Sequence, residues 1–212
     1  MEASMNQTVE LVRLWGIYEK DHTNATLDDF FRNQLAVKTK KERLAGLEGK
    51  LIPDINGKLV ILLRRIGRFH IVYSNKALEG TELDQIEEFG ILVTIHNMGN
   101  PIKSEAIYNN IIELSSGTNM LIRMIKRGLV TEYVDPDDKR VKRLKVTRKG
   151  EKTLDVAKDQ VLKVAQMMVQ DLNDDEKHLC MELLDPINRR YSGLYQKQKN
   201  KSFDEIFKEN MQ

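Results

Sequence analysis

Two short runs rich in β-branched residues, LVTEYV at 129–134 and RVKRLKVT at 140–147, flank DPDDKR at 135–140, whose proline and acids suit a turn. They predict a β hairpin. Elsewhere apolar residues recur at intervals of three and four, the period of a helix buried along one side. One hairpin set among amphipathic helices places the chain in a mostly α (α+β) class. With only 4 prolines, 12 glycines and 6% aromatic residues in 212, a sandwich or barrel is disfavoured.

Val9, Leu11, Val12, Trp15 and Ile17 predict a first helix over 5–20, and a second is expected to start at Asn24 or Thr26. The stretch 38–57 carries KTKKER, Gly46, Gly49, Pro53 and Gly57, so a boundary is placed near Pro53. Residues 58–77 are strongly apolar with basic Arg64, Arg65 and Arg68. Thr81 is then expected to cap a helix with Leu83, Ile86, Phe89, Gly90 and Val93 on one face, ending at Gly99 and Pro101. Two short helices follow, about 103–112 and 116–127, with a polar turn at 113–115, a spacing that reads as a helix-turn-helix. Beyond the hairpin, Leu154, Ala157, Val161, Val164, Ala165, Met168 and Leu172 mark a long helix of about 34 Å. Asn173 or Asp174 can cap a last helix that buries Leu179, Leu183 and Leu184. The segments are therefore 1–57, a helical N-terminal extension; 58–80, a core helix; 81–150, the helix-turn-helix with its hairpin; 151–195, C-terminal helices; and 196–212, a polar tail with a short SFDEIF segment.

The 34 basic and 32 acidic residues nearly cancel, so net charge names no partner. Their distribution is uneven: residues 139–149 hold seven cations (Lys139, Arg140, Lys142, Arg143, Lys145, Arg148 and Lys149) and no carboxylate. Strand alternation puts Leu144 and Val146 on one side and Arg143 and Lys145 on the other. That side can meet phosphate, or it can be a solvated edge strand kept from pairing by its lysines. In the second short helix, Leu121, Met124, Ile125 and Gly128 form the inward stripe. Ser115, Ser116, Thr118, Asn119 and Arg123 are the candidate reading residues, because short polar side chains let a helix enter a major groove about 12 Å wide. A helix N-terminus also favours anions. Against this, Ser115 or Ser116 can be a helix cap and Arg123 a salt-bridge partner.

The order helix-turn-helix, GLVTEYVDPDDKRVKRLKVTRKG, long amphipathic helix resembles the winged-helix transcription regulators of the multiple-antibiotic-resistance-regulator (MarR) family. The resemblance runs from about Leu59 to Tyr195. It rests on Gly128-Leu129-Val130, Asp135-Pro136-x-Asp138-x-Arg140, Val146-Thr147-x-x-Gly150 and LNDDE at 172–176. It implies that 116–127 enters the major groove, that Arg140 at the wing tip enters the minor groove with Asp138 helping to hold the tip, and that 58–80 and 151–195 form a homodimer. The extension of about 50 residues before this region and the tail after it exceed the family's usual pattern. The resemblance also implies a crevice for a small aromatic or anionic effector, bordered by the helices that carry Arg68, His70, Tyr73 and His96; the competing expectation, which is preferred, is that these four residues pack and pair internally.

Other chemistry has no anchor. His22, His70, His96 and His178 lack metal-ligand spacing, no phosphate-binding glycine loop or nucleophile elbow occurs, and neither a metal nor a cofactor is expected. The single cysteine, Cys180, sits in an apolar run and is expected to be buried; one cysteine and the lack of a long uncharged apolar stretch suggest a cytoplasmic protein with no membrane segment. The expected partner is double-stranded DNA, bound at a pseudo-palindromic operator by a repressor dimer. The competing expectation is a winged-helix interaction module whose basic hairpin docks an acidic protein.

Overall fold

The structure, a computed structural model, describes residues 6–40 and 54–211; the boundary expected near Pro53 and the breakers Gly46 and Gly49 lie outside the described residues. The described elements follow the order α1 (Gln7–Asp21), α2 (Leu27–Lys40), α3 (Ile55–Ala77), α4 (Ile86–Met98), α5 (Lys103–Tyr108), α6 (Leu114–Lys126), β1 (Val130–Val134), β2 (Lys142–Val146), α7 (Arg148–Met168), α8 (Asp174–Gln198) and α9 (Phe203–Asn210). The chain divides within α3 into two units, Met1–Leu63 and Arg64–Gln212.

In the first unit, Asn6 caps α1 by accepting from the Thr8 amide at 2.9 Å, and Thr26 opens α2 through reciprocal bonds with Asp29. Phe30 is fully buried. Its ring meets Trp15 edge-on at 5.4 Å and Tyr18 at 5.6 Å, so the two helices are held by an aromatic cluster.

The second unit is built on one apolar core. Ile91, Leu92 and Ile95 of α4, Ala106 and Ile107 of α5, Leu121 and Met124 of α6, Leu129, Val130 and Leu144 of the hairpin, and Leu154 and Ala157 of α7 are all buried in it. The fully inward face of α4 is Glu88, Ile91, Leu92 and Ile95; of the expected set Leu83 is buried ahead of the helix, while Ile86, Phe89 and Val93 are half-buried against the core and Gly90 is half-buried. Thr81 does not cap α4. Its hydroxyl donates to the Leu78 carbonyl and accepts from the Leu83 amide, closing a turn five residues before the helix begins.

The tight part of the helix-turn-helix falls at Asn109–Ile111, earlier than the expected 113–115, because Asn109, Asn110 and Ile111 close it with backbone bonds and Ile111 adopts φ 55°. Gly117 lets α6 approach α5: a Cβ there would lie 2.5 Å from Ile107 Cγ2. The hairpin pairs antiparallel from Val130 opposite Val146 to Val134 opposite Lys142. Ile102 adds a bridge to Arg143, and the Leu144 amide donates to the Pro101 carbonyl at 2.9 Å, which ties the wing to the start of α5.

Thr147 caps α7 by accepting from the Gly150 amide. Gly150 passes so close to the hairpin that a Cβ would sit 2.1 Å from the Leu129 carbonyl oxygen. α7 stops at Met168, short of the expected Leu172, and Asn173 with Glu176 forms a reciprocal cap for α8. Leu183 and Leu184 are exposed rather than buried, and Cys180 is exposed as well. The stretch expected as a polar tail holds a capped helix: α9 folds back on the end of α8 through Arg190 to the Asn210 carbonyl at 2.9 Å and Lys201 to Glu209 at 2.5 Å. In the single chain α3 and α8 leave Leu59, Leu62, Ile66, Phe69, Met181, Ile187 and Tyr191 exposed. No helix among the described residues is long and apolar enough to cross a membrane.

Candidate nucleic-acid interface

α6 buries Gly117, Leu121 and Met124 and turns Ser115, Ser116 and Asn119 outwards. The cap is neither serine. Glu113 takes that place, with its carboxylate accepting from the Ser116 amide at 3.0 Å and from the Ser115 hydroxyl. The Ser115 hydroxyl, followed by the backbone amides of the first turn, lowers the Glu113 carboxyl from 4.5 to about 2. The anion-favouring helix start is thus already filled by a carboxylate, and a phosphate there would meet like charge. Thr118 is half-buried and its hydroxyl donates back to the Leu114 carbonyl at 2.7 Å, which leaves Ser116 and Asn119 as the unobstructed polar groups.

Arg123 lies 3.5 Å from Glu88 and 3.8 Å from Asp84, so its guanidinium is drawn towards the start of α4. The stronger clasp is made by Arg127, a residue that local pattern did not single out. It donates twice to Glu88, at 2.7 and 2.8 Å, and once to the Glu82 carbonyl at 2.6 Å, while pairing with Asp84 at 3.2 Å. Lys149 at the start of α7 reaches the Arg127 carbonyl and the Glu82 carboxylate, each at 3.0 Å. These contacts lock the C-terminal end of α6 to α4 and α7, fixing how its N-terminal half is presented. The Glu at 88, on an otherwise apolar face four residues before Leu92, is the sequence signal that could have found the clasp.

The hairpin cations divide into two groups. Arg143 donates to Asp135 and, at 3.0 Å, to the Asn100 carbonyl. Asp135 also accepts from the Asp137 and Asp138 amides, so it folds the tip and anchors it to the strand; Arg143, before these amides, holds its carboxyl below the usual range. Lys142 pairs at 2.6 Å with Glu132, which also pairs with Lys103 of α5. Arg143 and Lys142 are therefore tied into the wing. Lys139 and Lys145 are exposed, and among the described residues neither has a carboxylate within ion-pair distance. Arg140 is 90% exposed; Asp138 grips it in a fork, at 3.1 Å to both Nε and Nη2, and accepts from its amide at 3.0 Å. That grip lowers the Asp138 carboxyl and raises the Arg140 guanidinium.

The four residues expected to border an effector crevice have different surroundings. His70 lines a crevice of about 300 Å³ with Ile86, Phe89, Gly90, Asn110 and Val161. His96 pairs with Glu151 of α7 at 3.0 Å, and Arg68 and Tyr73 are exposed on α3. Among the described residues no group of three or more His, Cys, Asp or Glu is placed to hold a metal ion.

No protein-family model matches the chain. An uncharacterized HTH-type transcriptional regulator, YhbI of Bacillus subtilis, is 24% identical over 113 residues, covering 53% of this chain and 73% of that protein. Among solved structures, a cysteine-to-serine mutant of MarR from Escherichia coli complexed with operator DNA matches at a TM-score of 0.57 and 21% identity, over 64% of this chain and 99% of that one. Bordetella bronchiseptica BpsR, whose DNA binding is regulated by 6-hydroxynicotinic acid, matches at 0.59 and 18%, over 64% and 96%. A putative MarR-like transcription regulator from Bacillus cereus matches at 0.58 and 23%, again over 64% and 96%.

Proposed function

We propose, from the winged-helix fold that the chain shares with MarR-type regulators, that it is a sequence-specific DNA-binding transcriptional regulator acting as a homodimer at a pseudo-palindromic operator. One observation carries the reading: the outward side of α6 and the Asp138-held Arg140 belong to one compact unit, with the far end of α6 clamped through Arg127. In it, Ser116 and Asn119 meet base edges in the major groove, Arg140 enters the flanking minor groove, and Lys139 and Lys145 meet phosphate. The exposed apolar faces of α3 and α8 supply the dimer contact, since a lone chain would leave them wet. Two copies then set their α6 helices about 34 to 36 Å apart on one side of the duplex. Occupying a promoter in this way represses transcription. The crevice that His70 lines with Phe89 and Val161 is the site for a small aromatic or anionic effector.

The test is selection of bound sequences from a random duplex pool with the full chain, followed by sedimentation of the protein with and without the selected site. Enrichment of an inverted repeat bound by a dimer is expected, and Asn119→Ala or Ser116→Ala should change the preferred bases. Binding that ignores sequence, or a folded monomer at micromolar concentration, would overturn the reading. Indifference to duplex DNA at low salt would favour an acidic protein partner for the hairpin.

A further inference from the structure

We propose that Ile122 reads a thymine, packing its side chain on the 5-methyl group in the major groove; this rests on the duplex-reading role proposed for α6. Ser115, Asn119, Ile122 and Lys126 follow one another at intervals of four, three and four, so they form one stripe along α6. The stripe lies opposite the buried Gly117, Leu121 and Met124. Ile122 is 54% exposed within it, although the adjacent Leu121 is in the core. Arg123, the next residue, is drawn off towards Asp84 and Glu88, so its charge does not cover the isoleucine.

An isoleucine in that position offers no hydrogen bond to a base edge. Of the groups that the four base pairs display in the major groove, the thymine 5-methyl is the one that an apolar side chain meets favourably. The β-branched side chain has few rotamers to lose on contact. Asn119, one turn earlier on the same stripe, can hydrogen-bond a neighbouring base, and Lys126, one turn later, carries the positive charge that favours the duplex. Ile122 thereby adds to the operator a preference for thymine over cytosine at one position in each half-site.

The experiment uses the full chain and the operator recovered by sequence selection. Each thymine is replaced singly by deoxyuridine, which keeps every hydrogen-bonding group and removes only the methyl, and affinities are measured for the natural protein, Ile122→Ala and Ile122→Val. The expected result is one thymine per half-site at which deoxyuridine weakens the natural protein about fourfold, the worth of one buried methyl-sized group. Ile122→Ala should bind both operators alike at that position, and Ile122→Val should retain part of the discrimination. Deoxyuridine effects of equal size in the natural protein and Ile122→Ala would overturn the proposal. So would a selected operator at which Ile122→Ala binds as tightly as the natural protein. Failure to select any sequence would appear before a single thymine is replaced; it would remove the reading role of α6 and, with it, that of Ile122. Because Ile122 is exposed, circular dichroism should show both variants folded.

Discussion

The Arg127 guanidinium holds the fully buried carboxylate of Glu88 through two hydrogen bonds of 2.7 and 2.8 Å, joining residues 39 positions apart. A carboxylate without water needs such partners, and removing Arg127 takes away two of them, leaving the Asp84 amide at 2.9 Å and Arg123 at 3.5 Å. Arg127→Ala should therefore destabilise the fold by about 3 kcal/mol, as read by urea unfolding. Glu88→Gln should be milder, because the amide oxygen still accepts. An Arg127→Ala protein as stable as the natural one would show that the clasp contributes nothing net.

At the wing tip the relationship is local and exposed, so its loss should spare the fold. Arg140→Ala is expected to lower operator affinity about tenfold to a hundredfold and to flatten any preference for A·T pairs flanking the major-groove contacts. Arg140→Lys should restore part of this, since an ammonium is more strongly hydrated than a guanidinium and cannot make the fork with Asp138. The measurement is operator affinity at fixed salt, with circular dichroism as the folding control; undiminished affinity in a folded Arg140→Ala protein contradicts the expectation.

Two neighbouring cations should behave differently. Lys145→Ala should weaken binding to all duplexes alike and reduce the dependence of log affinity on log salt by about one. Arg143→Ala removes the contacts to Asp135 and the Asn100 carbonyl, so it should loosen the wing itself, seen as faster amide exchange at residues 135–141 without DNA present. Equal exchange in the two variants would assign Arg143 to phosphate contact alone.

Acid should weaken the start of α6. Glu113 has its folded-state pKa lowered to about 2 from the usual 4.5, so its hydrogen bonds favour the folded state fully above 4.5, and that contribution is lost as pH falls towards about 2. Glu113→Gln should reduce the loss of thermal stability between these values, and it should leave the melting temperature less dependent on pH there. Parallel melting curves against pH for the two proteins would exclude this role.

The hairpin, the two short helices before it and the long helix after it were legible in the sequence, because strand alternation, helical periodicity and turn residues each act over a few positions. Gly117 and Gly150 lie where close approach is demanded, yet the need for them comes from Ile107 and Leu129, residues 10 and 21 positions away. Thr81 is a case of competing local chemistry: the same hydroxyl that can cap a helix instead closed a turn with Leu78 and Leu83. Leu183 and Leu184 show a further limit, since periodicity finds an apolar face without saying whether the chain itself covers it.

The amino-acid sequence by itself placed Asp138 and Arg140 two residues apart at a turn, close enough to pair, while the tip that carries them is folded by Asp135. It also determined the polar outer side of α6 and the winged-helix order of elements. Only the tertiary structure decided which distant carboxylates the cations meet: it set Arg143 against Asp135, Arg123 and Arg127 against Glu88 and Asp84, and Lys142 against Glu132, while leaving Lys139 and Lys145 without such partners among the described residues. The physical reason is that an ion pair depends on separation in space, and for residues distant along the chain that separation is set by how helices and strands pack, which no local pattern of charge contains.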